Sequence, residues 1–315
     1  MPQLLVSFLR LVRWPNLVFI LLTQLLFYYC ILLPCFEQAP PAAAFPNKLS
    51  PYLFFLLSAA SVLIAAAGYI INDYFDLNID RVNKPNRLVV ERRIKRRWTI
   101  LWHWILSGVG VLLSLYVSWA LRNPLIAVAN LACVILLWFY STTFKRKLLI
   151  GNVIISLLTA WVILVLYVSE VRLSGPAVYG GIIARLFKFT IVYASFAFII
   201  SIIREVVKDI EDMDGDAKYG CRTMPIVWGM NAAKVFAATW VVVLLSALVI
   251  IQFYVLQKAW WPVTVYGAIM LDLPLLWILW QLYRAQTKPQ YHLLSSMIKA
   301  VMLAGILSIS VIKLV

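Results

Sequence analysis

The sequence predicts an all-α, multi-pass membrane protein of about nine transmembrane helices, and three observations carry that reading. Hydrophobic residues make up 63% of the 315 and charged residues only 13%, whereas soluble domains are about 25% charged. Apolar windows recur along the chain at roughly the 20 residues needed to cross a hydrocarbon core. Basic residues are also unequally shared. With nine spans, the N-terminal side of the membrane holds 21 of the 28 Lys and Arg, which predicts a cytoplasmic N-terminus.

The windows run over 17–36, 52–71, 100–120, 125–140, 150–169, 182–203, 235–256, 263–283 and 297–314. The first ends in Pro34 and Cys35 without a small-residue cleavage motif, so it reads as a retained helix rather than a signal peptide. Thirteen Trp, 15 Tyr and 16 Phe suit a chain that sets amphipathic rings at two membrane interfaces. The formal charge of +15 falls mainly in short loops, where it sets topology and attracts lipid headgroups, so membrane lipids are expected as partners and nucleic acid is not. The run Arg92, Arg93, Lys95, Arg96 and Arg97 is read in the same way. Cys30, Cys35, Cys133 and Cys221 are scattered with no C-x-x-C pair, which argues against a disulfide framework or a zinc site.

Acid is the scarcer and more informative charge. Nine of the 13 carboxylates lie in two stretches, after the second and sixth windows, both on the basic side. In the first, Asn72, Asp76 and Asp80 recur every fourth residue. If the second helix continues, they stack on one face about 6 Å apart in rise. Like charges stacked in this way repel, and a cation relieves the repulsion. Oxygen ligands without Cys or His select a hard ion such as Mg²⁺, which commonly shares phosphate oxygens with its protein ligands. In the second stretch, Asp209, Asp212 and Asp216 take the same helical alignment, so two acidic faces are expected to oppose each other.

Cations suited to a polyanion surround both stretches: Arg81, Lys84 and Arg87 after the first, Lys145 and Arg146 on the next loop, and Lys208 and Arg222 flanking the second. A diphosphate bridged by Mg²⁺ explains both signs of charge in one place. Glu91, Glu211 and Asp214 point off the acidic faces and are expected to be solvated, and Asp73 is expected to stand behind the ligands. His103 and His292 read as interface residues. Asp272, inside the eighth window, is left outside the site.

The motif Asn72-Asp73-x-x-Asp76-x-x-x-Asp80, with Arg81 and Lys84-Pro85-Asn86-Arg87, resembles the first signature of the UbiA superfamily. Asp209-x-x-Asp212-x-x-x-Asp216, followed by Gly220-Cys221-Arg222-Thr223-Met224-Pro225, resembles the second. Tyr140-Ser141, Lys145-Arg146 and Gly151-Asn152 extend the likeness. It implies a single transmembrane prenyltransferase domain over 1–315: helices around a central cavity, a cytoplasmic cap, and two Mg²⁺ held by Asn72, Asp76, Asp80, Asp212 and Asp216, to which Asp209 is added. Lys145 and Arg146 would neutralise diphosphate oxygens, and Tyr140 would hydrogen-bond at the reacting end. The implied partners are a prenyl diphosphate and a lipophilic acceptor, in the cytoplasmic membrane of a prokaryote with the site facing the cytoplasm.

The run 204–216 is similar to members acting on geranylgeranylglyceryl phosphate, while an aromatic acceptor, as in quinone or haem biosynthesis, stays open. One departure concerns the turn after the first motif: the family usually has Arg-Pro there, and this chain has Arg87-Leu88-Val89-Val90-Glu91. The alternative from another class is a transporter or channel with acidic vestibules. Such a protein would carry acid within its spans, whereas Asp272 is the one carboxylate within these windows.

Overall fold

A computed structural model of the chain describes residues 2–37, 49–83, 89–171 and 180–313, and the segment 84–88, with Lys84 and Arg87, lies outside them, as do Lys48 and Arg172 of the charge count. Among the described residues, nine helical segments are long and apolar enough to cross a membrane. There is no strand among them, only a bridge between Val90 and Ile94. The protein is a multi-pass, all-α membrane protein, as the composition predicts.

The elements are α1 (Pro2–Leu11), α2 (Trp14–Glu37), α3 (Pro51–Asn83), α4 (Arg96–Leu121), α5 (Pro124–Thr142) and α6 (Ile150–Glu170). They continue with α7 (Gly180–Glu211), α8 (Met213–Lys218), α9 (Met224–Val227), α10 (Met230–Leu256), α11 (Trp261–Arg284) and α12 (Lys288–Lys313). Helices α3 and α7 run well past the apolar windows at their C-terminal ends. The acidic motifs are therefore helix ends rather than loops, because Asp and Asn cost a helix little once its preceding turns are formed.

Two spans contain π-helical turns, Tyr28–Leu32 in α2 and Ala268–Asp272 in α11. Each lies just before a proline, Pro34 or Pro274. Proline has no N–H to give and crowds the carbonyl four residues back, and a wider turn relieves both problems. Asp272 closes the second of these turns, and one of its carboxylate oxygens accepts from Gln252 Nε2 at 2.8 Å. It lies near the middle of the candidate span Trp261–Arg284.

The chain divides into two compact units. One comprises Met1–Leu25, Leu32–Lys145 and Trp161–Thr190. In it α3 packs on α4 and α5, and small residues permit the approach: a Cβ on Gly110 would lie 2.8 Å from Ile64 Cγ1, and one on Gly68 2.8 Å from Leu137. Such close backbone approach substitutes for a hydrophobic driving force between helices in lipid. Arg122, in the left-handed conformation, ends α4, and the Asn123 side chain caps α5 by accepting from Leu125 N–H, with Pro124 at the first helical position. Buried Asn130 on α5 then donates to Ser114 Oγ on α4 at 2.8 Å and accepts from Trp161 Nε1 on α6 at 2.9 Å.

The other unit comprises Leu26–Ile31, Arg146–Ala160 and Ile191–Val315. Its core runs along α7, α10, α11 and α12 through Ile203, Val207, Ala237, Val241, Leu275, Ile278 and Ile298. Polar contacts between its helices include Tyr193 Oη with Ser308 Oγ at 3.0 Å, and Tyr266 Oη donating to the Ala304 carbonyl at 2.8 Å.

Candidate functional site

The first acidic motif occupies the last three turns of α3, so Asn72, Asp76 and Asp80 share one helix face at four-residue spacing. All three are partly buried. Asn72 Nδ2 donates to Asp76 Oδ2 at 2.8 Å, and Lys145 Nζ lies 2.6 Å from Asp76 Oδ1 and 3.4 Å from Asn72 Oδ1. Lys145 sits in the 3₁₀ turn Phe144–Arg146 that follows α5, and its side chain is only 9% exposed. This loop cation thereby sits on the motif, and both oxygens of Asp76 are engaged.

Asp73, one residue off that face, pairs with Arg13 Nη2 at 2.7 Å. Arg13 takes the left-handed conformation (φ 52°) between α1 and α2, and its guanidinium also lies 5.2 Å from the Tyr69 ring centroid. Burial opposes the charge on Arg13, but the fields of Asp73, Tyr69 and Asp80 outweigh it, and the guanidinium is held above its ordinary pKa. No motif in the sequence singles out Arg13; its one local signal is its place immediately before Trp14-Pro15, where a helix must restart.

Arg81 follows the motif and pairs with Glu91 at 2.8 Å. Glu91 is thus partnered at the surface, and it shapes the turn in which this chain departs from the family pattern. Its backbone is left-handed (φ 65°), and its N–H donates to the Ile94 carbonyl.

The second motif differs from a single continuous helix. α7 ends at Glu211, Asp212 adopts a turn conformation (φ −96°, ψ 4°), and the short α8 begins at Met213. Two backbone bonds carry helical spacing across the break: Asp212 N–H to the Lys208 carbonyl at 2.8 Å and Asp216 N–H to the Asp212 carbonyl at 3.2 Å. Asp209, Asp212 and Asp216 consequently keep near-helical intervals. Asp209 Oδ2 accepts from Nδ2 of buried Asn152 on α6 at 2.8 Å. Upstream, Glu205 pairs with Arg204 at 2.8 Å and with Lys208 at 3.4 Å.

Beyond α8, Gly220 takes φ 71° and Cys221 N–H returns to the Asp216 carbonyl. Arg222 N–H donates to the Arg146 carbonyl at 2.8 Å, which joins the two backbone segments that carry these arginines. Tyr140 lies in the last turn of α5, partly buried.

Two expectations change. Glu211 is not solvated: its side chain is 11% exposed and lies 2.9 Å from His292 Nδ1, so His292 belongs to α12 and to this contact rather than to an interface loop. His103 is buried, with Nδ1 3.0 Å from the Ala67 carbonyl and its ring against Trp104 and Trp138. Asp214 is exposed, as expected.

Among the described residues, no three His, Cys, Asp or Glu side chains are gathered closely enough to enclose a metal by themselves. The first motif nonetheless fits a hard cation. Its donors are all oxygen, and a positive charge, the Lys145 ammonium, already lies 2.6 Å from Asp76 Oδ1. A magnesium ion that takes part of its coordination from phosphate and water needs only one or two protein carboxylates.

Comparison with known proteins gives a consistent result. Residues 31–298 match the UbiA prenyltransferase family. A digeranylgeranylglyceryl phosphate synthase from Methanosphaera stadtmanae is 32% identical over 183 residues, 58% of this chain and 60% of that protein. The protein of the same name from Thermococcus gammatolerans is 31% identical over 235 residues, 75% and 76% of the two chains. The chain spans 60–64% of the length of three curated relatives of that name, from Methanosphaera stadtmanae, Methanothermobacter thermautotrophicus and Natronomonas pharaonis. A solved structure of a digeranylgeranylglyceryl phosphate synthase superposes with a TM-score of 0.63 at 24% identity, covering 99% of both chains. A UbiA homologue from Archaeoglobus fulgidus bound to DMAPP and Mg²⁺ superposes with a TM-score of 0.55 at 16% identity, covering 96% of this chain and 99% of that one. The breadth of the family match, together with two acidic helix ends in the spacing that the sequence predicts, establishes that this chain belongs to the UbiA prenyltransferase family.

Proposed function

We propose that the protein transfers a prenyl chain from a prenyl diphosphate to a lipophilic acceptor within the membrane, in a Mg²⁺-dependent reaction. The observation that carries this reading is the α3 end, where Asn72, Asp76 and Asp80 share a face and a buried lysine sits on Asp76. It is supported by relatives named digeranylgeranylglyceryl phosphate synthase, which make geranylgeranylglyceryl phosphate the acceptor to test first. The whole chain would act as one functional domain in a prokaryotic cytoplasmic membrane. A site facing the cytoplasm follows from the basic side of the topology.

In this reading Asn72, Asp76, Asp80, Asp209, Asp212 and Asp216 would hold Mg²⁺, and Arg81, Lys84, Arg87, Lys145, Arg146, Lys208 and Arg222 would take phosphate charge. Mg²⁺ supplies Lewis-acid neutralisation of the diphosphate. The C1–O bond of the allylic diphosphate breaks and the diphosphate leaves with the electron pair. The acceptor hydroxyl oxygen bonds to C1, and its proton passes to the departing diphosphate or to water. Fixed cations favour the departing charge because they need no reorganisation as it develops. Tyr140 orients the reacting end, and a cavity wall of aromatic faces would favour a cation-like carbon and exclude water.

The test supplies purified protein with geranylgeranyl diphosphate and Mg²⁺, and in parallel geranylgeranylglyceryl phosphate, 4-hydroxybenzoate or dihydroxynaphthoate, with products read by mass spectrometry. The expected product is the doubly prenylated glyceryl phosphate. Product with an aromatic acceptor alone would overturn the acceptor assignment, and no product with any of them would overturn the reaction.

A further inference from the structure

Lys145 and a bound metal compete for the same oxygen. The ammonium lies 2.6 Å from Asp76 Oδ1 and 3.4 Å from Asn72 Oδ1, while Asn72 Nδ2 holds Asp76 Oδ2 at 2.8 Å. Asp76 and Lys145 are 16% and 9% exposed, so neither charge is well hydrated and each depends on the other. A cation that coordinates Asp76 Oδ1 competes with Lys145, because two positive centres brought to one carboxylate oxygen repel each other at close range. A displaced Lys145 that stayed nearby would lose its counter-charge in a poorly solvated place. A diphosphate removes that penalty by offering the ammonium a new anion as the metal takes the carboxylate.

We infer that Lys145 makes metal and diphosphate binding mutually dependent: it screens Asp76 from free divalent cations and yields the carboxylate only when phosphate oxygens arrive to receive its charge. This rests on the proposed diphosphate reading of the same site. The exchange is a cation swap with no change of bonds or protons. Its consequence is selectivity for the magnesium–diphosphate pair over magnesium alone, obtained from coupling between two ligands rather than from a tighter metal cage. Lys145 is suited to the task because its place in a short 3₁₀ turn, Phe144–Arg146, fixes its backbone, while a four-carbon stem lets the ammonium move between acceptors.

The experiment measures binding, not turnover. Mn²⁺, which replaces Mg²⁺ and reports bound fraction by electron paramagnetic resonance, is titrated into detergent-purified protein with and without a non-reacting geranylgeranyl thiodiphosphate. In wild type, Mn²⁺ alone should bind weakly, and the thiodiphosphate should tighten it by at least tenfold. Lys145→Met should bind Mn²⁺ alone about tenfold more tightly than wild type, corresponding to about 1.4 kcal/mol, with a smaller gain from thiodiphosphate. Adding Asp76→Asn to Lys145→Met should abolish that increase. Lys145→Arg, which keeps the charge, should not gain affinity for Mn²⁺ alone, and Lys145→Gln replaces the Met variant if that one fails to fold. Equal Mn²⁺ affinity in wild type and the neutral variant would overturn the inference while leaving the proposed function standing. Failure of thiodiphosphate to bring Mn²⁺ to wild type or variant would overturn the diphosphate reading itself.

Discussion

Replacing Asn152 isolates the contribution of a single donor to the second motif. Asn152 is 7% exposed, and its Nδ2 holds Asp209 Oδ2 at 2.8 Å across from α6. In Asn152→Ala that oxygen loses its fixed partner, and the carboxylate is free to rotate. A hydrogen bond to a charged group is worth about 1.5–3 kcal/mol, equivalent to roughly 10- to 100-fold in an equilibrium constant. Groups that orient a metal-binding carboxylate cost about the same range, 10- to 100-fold, when removed. If Asp209 serves the metal, most of this loss falls on the Mg²⁺ concentration giving half-maximal rate. Initial rates as a function of Mg²⁺ at saturating prenyl diphosphate measure it. The double variant Asn152→Ala/Asp209→Asn separates position from stability: Asn152→Ala should add little once Asp209→Asn is in place, with a coupling of about 1.5–3 kcal/mol. An unaltered Mg²⁺ dependence in Asn152→Ala, or full additivity in the double variant, would refute the role given to this pair.

Three further outcomes follow from the same geometry. Asp76→Ala and Asp212→Ala should each abolish measurable prenyl transfer while the protein remains membrane-inserted and monodisperse on gel filtration, since both sit at helix ends rather than in a packed core. Asn130→Leu removes two interhelical hydrogen bonds at 2.8 and 2.9 Å. At about 0.6 kcal/mol for an average bond of this kind in a membrane protein, it should cost roughly 1 kcal/mol, read as a lower midpoint of thermal unfolding with low-temperature activity retained. Glu211→Ala breaks the contact with half-exposed His292, and, at about 0.2–1 kcal/mol for such a pair, turnover should stay within about twofold of wild type.

The spans and the acidic faces were legible because hydropathy over 20 residues and four-residue spacing are both local patterns. Asn72, Asp76 and Asp80 lie on one face however the rest of the chain folds, provided α3 continues, and it does. What the sequence concealed depends on tertiary contact. Arg13 reaches Asp73 across 60 residues and His292 reaches Glu211 across 81, and no local pattern distinguishes those partners from other surface charges. The break at Asp212 was concealed for a different reason: helical hydrogen bonds bridge it, so the spacing is that of an unbroken helix. The basic run beside His103 points to the interface, whereas its ring packs against Trp104 and Trp138 and its Nδ1 lies 3.0 Å from the Ala67 carbonyl. Burial on one face of α4 outweighs the charge of its N-terminal neighbours.

The central claim is that this chain spends Mg²⁺ and acidic helix ends on breaking an allylic diphosphate bond. The most direct measurement is diphosphate release from geranylgeranyl diphosphate by purified protein with geranylgeranylglyceryl phosphate present, with and without a Mg²⁺ chelator, beside Asp76→Ala. The account predicts release matched one for one by prenylated product in the wild-type protein with Mg²⁺, and none with the chelator or in Asp76→Ala. Equal release and product in the presence of chelator, or in Asp76→Ala, would contradict it.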